Sequence, residues 1–292
     1  MEKRRRLVRE CLRGFLLRSR RRTGGTGETE GDLNCMEGYI IILAAVYGAV
    51  MGSFLNCAAY RISRGESFVT GHSRCTACGH VLGPLDLVPV LSWVFLRGKC
   101  RYCGEKISAR YPAAEVFWAV ITAVSLWRFG MNVIFIRNYI FLCCLFCLSL
   151  VDLETMIIPD EFHLISAGAW AAALPFAGMG VGGIISHVLA GLLFGGGLLL
   201  ISLVLDRVLG RESLGGGDIK LMAVTGLYLG IVGTLFALIL ACILGLAVHG
   251  MRKEKDRGTG EFPFGPSISA AAGFMLLFGE PLVKWYLGLL GL

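Results

Sequence analysis

The stretch Leu214-Gly215-Gly216-Gly217-Asp218-Ile219-Lys220 lies between two strongly apolar segments. Glycine lets backbones pack closely and take conformations that other residues avoid. A carboxylate at a membrane boundary is costly, so it is by default a candidate functional residue. A second such carboxylate, Asp152, ends another apolar run in the sequence Asp152-Leu153-Glu154-Thr155-Met156-Ile157-Ile158-Pro159-Asp160. The two stretches predict a fold that brings Asp152 and Asp218 together.

The composition identifies the kind of chain that carries these stretches. Of its 292 residues, 55% are hydrophobic and only 17% are charged, which excludes an ordinary soluble domain. A membrane-spanning helix needs about 20 apolar residues, and several segments approach that length. They predict helices near 38–59, 113–129, 133–151, 162–178, 184–205 and 264–279, with two more in 218–249, broken around Gly230 and Gly233. We therefore expect an all-α polytopic membrane protein with about eight transmembrane helices.

The distribution of basic residues predicts the orientation. The polar loop between the first two helices holds eight basic residues: Arg61, Arg64, Arg74, Arg97, Lys99, Arg101, Lys106 and Arg110. Further basic residues flank the glycine run and precede the last helix. The connections on the opposite side of the membrane hold almost no lysine or arginine. Since lysine and arginine concentrate in cytoplasmic loops, these loops and both aspartates should face the cytoplasm. We predict a multi-pass protein of the cell (cytoplasmic or inner) membrane.

The N-terminal segment carries most of the net charge of +7. Residues 1–35 hold ten Lys/Arg against five acids, and the remainder is nearly balanced, so we expect no nucleic-acid partner. Counting the crossings places residue 38 on the outer side of the membrane. The ten basic residues before it would then also lie outside, which conflicts with the preference of basic residues for the cytoplasmic side. We therefore interpret 1–35 as a basic extension, disordered or upstream of the native start at Met36. The rest divides into a first transmembrane helix at 36–60, a cytoplasmic loop domain at 61–112 and a transmembrane protease domain at 113–292.

Four cysteines in the loop form two CxxC pairs, Cys75/Cys78 and Cys100/Cys103, each followed by glycine. Four thiolates at this spacing are typical of a closed, tetrahedral structural zinc site. Two disulfides or a redox pair are the alternatives, and a reducing cytoplasm disfavours disulfides. His72 and His80 lie nearby as second-choice ligands. The pattern favours zinc bound by the four cysteines.

The two aspartates suggest acid–base chemistry. Two close carboxylates in a poorly solvated site share a proton, so one can accept a proton from water while the other polarises a peptide carbonyl. The alternative is a pair of interfacial carboxylates in salt bridges with Lys220 or Arg207. Rival members of the pair are Glu154, Asp160 and Asp206, and the spacing does not decide between them.

With these motifs in order, the chain resembles the type IV prepilin peptidases, membrane aspartic proteases of the GxGD type. The resemblance covers about 36–280. It is carried by Gly52-Ser53-Phe54-Leu55-Asn56 with Tyr60-Arg61, Gly98-Lys99-Cys100-Arg101-Tyr102-Cys103, Ile107-Ser108-Ala109-Arg110-Tyr111-Pro112-Ala113-Ala114-Glu115, the two aspartate stretches and Pro263-Phe264-Gly265-Pro266. The departures are Cys57-Ala58-Ala59, where bulkier aliphatic residues are usual, and Ser63, where proline is common.

The resemblance implies that Asp152 and Asp218 are the catalytic pair, with Gly215, Gly217, Lys220, Glu154 and Asp160 in support. It implies prepilin or pseudopilin substrates in the lipid bilayer, cleaved after a glycine on the cytoplasmic side. Members with the cysteine loop also methylate the new N-terminal amine from S-adenosylmethionine, so the same is expected here. The sequence predicts neither the S-adenosylmethionine pocket nor the oligomeric state.

Three other functions stay open. The protein could be a peptidase without methyltransferase activity, or a scaffold that binds pilins without cutting them. It could also be a transporter with a zinc-bound regulatory loop, and this alternative predicts carboxylates near the middle of the membrane.

Overall fold

The computed structural model describes residues 29–67, 71–210, 214–251 and 263–289. The predicted N-terminal extension lies outside these ranges up to residue 28. The helices are α1 (Thr29–Ile62), α2 (Leu91–Phe95), α3 (Arg110–Phe129), α4 (Val133–Thr155), α5 (Asp160–Ala173), α6 (Val181–Leu209), α7 (Gly216–Met251) and α8 (Gly265–Leu289). Extended structure in the described ranges is limited to two isolated bridges. The prediction of an all-α fold is confirmed.

Five of the described helices are long and apolar enough to cross a bilayer: α1 from Gly38, α4, α6, α7 and α8. The predicted count of about eight is therefore not reproduced in full. Two further predicted spans correspond to α3, which is less apolar, and to α5, which has only 14 residues. The protein is a multi-pass membrane protein by the length and composition of these helices.

Helix α7 reverses direction at Gly230. This residue has φ 68° and ψ −178°, a conformation that is essentially confined to glycine. Asp218 and Cys242 line one cavity although 24 residues separate them, a distance of about 36 Å in a straight helix. The His187 Nδ1–H donates to the carbonyl oxygen of Leu227 at 2.8 Å, one turn before the reversal. The predicted break is confirmed at Gly230, whereas Gly233 is helical.

Two predicted helix ends were wrong. Helix α5 ends at Ala173 rather than 178, because Pro175 lies in the 3₁₀ turn that follows and cannot donate to a helical hydrogen bond. Helix α8 continues past 279, through Pro281, to Leu289. Its last turns remain helical where Tyr286 packs edge-on against Phe236 of α7, with ring centroids 5.5 Å apart.

Helix α4 lies at the centre of the bundle and packs against α1, α3, α5 and α8, while α7 packs against α5, α6 and α8. The α1–α3 pair is close because Gly52 faces α3: a Cβ there would lie 2.8 Å from the carbonyl oxygen of Ala114. On the other side, Phe141 of α4 stacks on Tyr228 of α7 with centroids 3.9 Å apart. This packing carries the end of α4 to the starts of α7 and α8, where the two aspartates lie.

Candidate active site and four-cysteine module

Asp152 lies in the last turn of α4 and is only 4% exposed. Met156 caps the end of the helix: it has a left-handed conformation, and its N–H donates to the carbonyl oxygen of Asp152 at 2.9 Å. The Oδ2 atom of Asp152 accepts a hydrogen bond of 3.1 Å from the N–H of Gly265, at the start of α8. The N-terminus of a helix carries partial positive charge, so this contact favours the ionised carboxylate.

Asp218 lies in the first turn of α7, directly after the glycine run. Its N–H donates to the carbonyl oxygen of Gly215 at 3.1 Å. The Oδ1 atom is buried and has no hydrogen-bond partner in the described part of the chain. A Cβ on Gly215 would lie 3.3 Å from Oδ2, so this glycine leaves room beside the carboxylate. An unpaired oxygen in an apolar setting favours the protonated form.

The side chain of Ile158 joins the two aspartate positions. A Cβ on Gly217 would lie 2.7 Å from the Cβ of Ile158, and a Cβ on Gly265 would lie 3.1 Å from its Cδ1. Ile158 therefore touches both the residue before Asp218 and the residue that donates to Asp152. The structure brings the two predicted carboxylates to the same end of the bundle, with Ile158 packed between the residues next to them.

The three rival acids have other partners. The Ser63 hydroxyl donates to Glu154 at 2.7 Å, which links the end of α4 to the end of α1. The Lys220 ammonium donates to both oxygens of Asp160 at 2.7 and 2.8 Å, and this holds the pKa of Asp160 below its ordinary value. The Ser202 hydroxyl donates to Asp206 at 3.3 Å. Lys220 thus links α7 to α5, and its ion-pair partner is Asp160 rather than Asp152 or Asp218.

The four predicted cysteines lie together. All four Sγ atoms fall within 4.8 Å of one another, and those of Cys75 and Cys103 are 3.9 Å apart. Zinc–sulfur bonds of about 2.3 Å in a tetrahedron separate sulfurs by about 3.8 Å. The cluster therefore has dimensions that fit one zinc ion.

The two cysteine turns repeat the same backbone geometry. The Cys75 N–H donates to the His80 carbonyl at 2.9 Å, and the Cys100 N–H to the Glu105 carbonyl at 2.8 Å. Gly79 and Gly104, the glycines that follow the two CxxC pairs, have φ +71° and +74° and close the turns. His80 instead stacks on Tyr102, with centroids 3.6 Å apart, and lies outside the thiol cluster.

The electrostatics of the module also suit a cation. Backbone N–H groups of Cys78 and Ala77 lower the pKa of Cys75 to about 7. The N–H of Glu105 acts to lower the pKa of Cys103. Reduced solvation and the neighbouring thiols act in the opposite direction and outweigh it, so the pKa of Cys103 is raised to about 12. Four thiols this close cannot all ionise alone, because like charges oppose one another. A bound metal ion would supply the missing positive charge and deprotonate its ligands.

The module is fastened to the bundle by contacts that the sequence did not predict. The Val90 N–H donates to the buried carboxylate of Glu115, in the second turn of α3, at 2.6 Å. Inside the module, the indole N–H of Trp93 donates to the Ile107 carbonyl at 3.1 Å. Residues 85–93 thus contact the start of α3 through the hydrogen bond of Val90.

The roles of Gly265 and Ile158 were also missed. Both residues were part of quoted motifs, but no spacing rule connects Gly265 to a carboxylate 113 positions earlier. The available signal was the sequence Pro263-Phe264-Gly265-Pro266, since proline is favoured in the first turn of a helix. A helix start at this point would have indicated a site for an anionic group.

Fold and site together define an all-helical, multi-pass membrane protein with a pair of carboxylates at helix ends and a four-thiol module. Residues 46–129 match the Bacterial Peptidase A24 N-terminal domain, and residues 139–250 match the Type IV leader peptidase family. The chain is 31% identical over 285 residues to the prepilin leader peptidase/N-methyltransferase of Pseudomonas putida, covering 87% of this chain and 96% of that protein. It is 30% identical over 246 residues to the protein of that name from Bacillus subtilis, covering 83% and 96%.

A third relative with this name, from Neisseria gonorrhoeae, is 28% identical over 284 residues, covering 88% of this chain and 98% of its own. No solved structure matches the chain. The chain belongs to the Type IV leader peptidase family.

Proposed function

We propose that the protein is a membrane aspartic endopeptidase that removes the leader peptides of type IV prepilins or pseudopilins. The observation that carries the proposal is the meeting of Asp152 and Asp218 at one end of the bundle, with Ile158 in contact with both helix starts. The rival acids Glu154, Asp160 and Asp206 are engaged elsewhere. Family membership supports the reaction class, and the geometry supports this pair as its catalytic residues.

The hydrogen bonds suggest different roles for the two carboxyl groups. Asp152 accepts from the Gly265 N–H, so it is the better candidate for the ionised base that takes a proton from the attacking water. Asp218 has a buried oxygen without a donor, so it is the better candidate for the acid that hydrogen-bonds to the scissile carbonyl. General acid–base assistance of this kind is typically worth about 10²–10⁴-fold in rate. Gly215 leaves space beside the Asp218 carboxylate, and Gly217 lets Ile158 pack against the start of α7.

We place the site at the cytoplasmic face. Asp152 is near the end of α4 and Asp218 near the start of α7, on the side of the basic loops. A substrate with a basic leader would keep that leader in the cytoplasm and its apolar segment in the membrane, with cleavage after a glycine. The position at helix ends disfavours the transporter alternative, which needs carboxylates along a path through the membrane.

Methyl transfer to the new N-terminal amine is a second proposed activity. Its support is that the relatives are named prepilin leader peptidase/N-methyltransferase, together with the four-cysteine module at 61–112. S-adenosylmethionine would supply the methyl group. Zinc held by Cys75, Cys78, Cys100 and Cys103 would have a structural role, because a four-cysteine site leaves no open coordination position. In this proposal, residues 113–292 form the protease domain. The alternative function is a peptidase without methyltransferase activity.

Mass spectrometry of a prepilin incubated with the purified protein and S-adenosylmethionine tests both activities. We expect loss of the leader and gain of one methyl group on the mature chain. Loss of the leader alone would leave the peptidase and remove the methyltransferase. An uncut substrate, with zinc confirmed in the protein, would favour the scaffold that binds pilins without cutting them.

A further inference from the structure

The cysteine module carries an exposed apolar face on its short helix α2. Leu91, Val94 and Phe95 are spaced i, i+3 and i+4, so they share one side of this helix. They are 54%, 56% and 81% exposed. The other side of α2 is fastened to the module by Trp93, whose indole N–H donates to the Ile107 carbonyl. Three large apolar side chains therefore point away from the module that holds them.

The contacts of the module indicate the depth of α2 relative to the bilayer. The N–H of Val90, directly before α2, donates to the carboxylate of Glu115 in α3 at 2.6 Å. Glu115 packs on Gly52 of α1, where a Cβ would lie 3.0 Å from the Cα of Glu115. Gly52 belongs to a helix that is long and apolar enough to cross the membrane, nine residues before Arg61. Nine residues span about 13 Å along a helix.

Arg61 marks the level at which α1 leaves the bilayer. It is the first charged residue after the apolar run of this helix, and its guanidinium donates to the His72 carbonyl in the module at 3.2 Å. The Glu115 side chain and its hydrogen bond together are shorter than the distance from Gly52 to Arg61, so Val90 lies on the membrane side of Arg61. Helix α2 begins at the next residue. It therefore starts at the depth of the near leaflet, the leaflet on the module's side of the bilayer.

The backbone on both sides of α2 has an uncommon conformation. Val90 has φ 61° and Arg97 has φ 53°, and within the described ranges they are two of the three non-glycine residues with positive φ. Such conformations persist where the surrounding structure holds them, and they cluster at functional segments. A chain that enters a leaflet and leaves it again over so few residues needs a sharp turn at each end, and these two residues supply them.

We propose that α2 inserts into the near leaflet, with Leu91, Val94 and Phe95 among the acyl chains and Arg97 and Lys99 at the level of the phosphates. Both basic residues are exposed, and long cationic side chains extend from apolar surroundings to the headgroups. The depth of α2 favours lipid over a second copy of the chain as the occupant of this face. The leaflet would then hold the module in place together with α1 and α3, whether or not the protein is a peptidase.

Photo-cross-linking from position 95 of the full-length protein tests the proposal, in nanodiscs of phosphatidylethanolamine and phosphatidylglycerol. Phe95→benzoylphenylalanine keeps an aromatic side chain and, on irradiation, bonds to a C–H group that lies against it. Glu105→benzoylphenylalanine is the control. Glu105 is exposed at the tip of the second cysteine turn, whereas Trp93 of α2 packs at the base of that turn, where a Cβ on Gly98 would lie 2.9 Å from its ring. Mass spectrometry should find phospholipid adducts at position 95 and none at position 105.

Three results of this experiment would overturn the proposal. An adduct between two copies of the chain would make the apolar face a dimer interface. The absence of any adduct at position 95 would mean that the face lies in water. Lipid adducts at both positions would mean that the module as a whole, rather than α2, lies against lipid.

Hydrogen–deuterium exchange in the same nanodiscs gives a second, independent measurement. Phe95→Asp should raise the exchange rates of the α2 amides at least about 10-fold, because it removes buried apolar area and places a carboxylate in the leaflet. Phe95→Leu keeps an apolar side chain and should stay within about 3-fold of the unmodified protein. Unchanged exchange in Phe95→Asp would contradict insertion. If Phe95→Asp also exchanges rapidly in both cysteine turns, the module has unfolded, and the cross-linking result alone decides.

Discussion

At Gly265, a hydrogen atom occupies the position where any other residue would place a Cβ 2.6 Å from Oδ2 of Asp152. Such an atom would displace the carboxylate and lengthen its hydrogen bond to the Gly265 N–H. We expect Gly265→Ala to lower kcat by about 100-fold with little change in KM, because a displacement of about 1 Å at a catalytic group can cost that much. Steady-state cleavage kinetics of a prepilin measure both constants.

Gly273→Ala is the control for this prediction. It lies on the same helix, and its Cβ would meet Leu142 at 3.4 Å, an ordinary contact. Equal loss of activity in both variants would show that α8 tolerates no alanine for general reasons, and the specific role of Gly265 would be rejected.

Among single residues, the sequence singled out the two aspartates as candidates but did not indicate which residues contact them. Asp152 and Asp218 stand out because carboxylates beside apolar runs are rare and costly. The hydrogen bond from Gly265 and the contacts of Ile158 depend on how three helices meet, and residue type alone does not indicate them. Residue type alone also does not indicate that Lys220 pairs with Asp160 rather than with Asp152 or Asp218.

The four-cysteine module is expected to bind one zinc ion through all four thiolates. Cys100→Ser removes a buried ligand, so we expect the zinc content of the purified protein to fall from about one per chain to near zero. Cys57→Ser, outside the cluster, should keep its zinc. Metal content by mass spectrometry is the measurement, and full zinc retention in Cys100→Ser would contradict the four-thiolate site.

The reversal of α7 at Gly230 is expected to need glycine. An alanine in this backbone conformation costs roughly 1–3 kcal/mol, so Gly230→Ala should lower the thermal unfolding midpoint in detergent. Gly168→Ala in α5 is the control, since its Cβ would have open space around it. An unchanged midpoint in Gly230→Ala would mean that the reversal is not held in this conformation.

At the level of elements, the apolar segments predicted most helices, and Gly230 marked the reversal because glycine alone adopts such a conformation readily. The ends of α5 and α8 were wrong for opposite reasons. Pro175 terminates α5 early, whereas Pro281 is accommodated within α8 because the helix is held by packing on both sides of it. Proline therefore marks a boundary only where tertiary contacts do not continue the helix.

For the whole molecule, the account predicts an orientation. An epitope tag at Gly104, in the cysteine module, should be accessible only from the cytoplasmic side of sealed vesicles. A tag at Met131, an 81% exposed residue between α3 and α4, should be accessible only from the opposite side. Protease protection in vesicles of both orientations measures this, and the reverse pattern would place the aspartates outside the cell.

The class of the molecule followed from composition, because a chain this apolar can satisfy its backbone in a bilayer only through internal hydrogen bonds. The attachment of the cysteine module to the bundle could not be predicted, since it depends on the buried Glu115 carboxylate meeting the Val90 N–H. The exact number of crossings was also beyond a count of apolar segments, because α3 is less apolar than the five long helices and α5 has only 14 residues.

The most direct test of the central claim is cleavage of a prepilin by Asp152→Asn and Asp218→Asn, reconstituted beside the unmodified protein. Each substitution keeps the shape of the side chain and removes its acid–base function. Glu161→Gln, an exposed carboxylate at the start of α5, is the control and should cleave normally. We predict that each aspartate variant enters the membrane, folds and cleaves nothing detectable, whereas cleavage by either variant at a rate near that of the unmodified protein would exclude that aspartate from the catalytic pair.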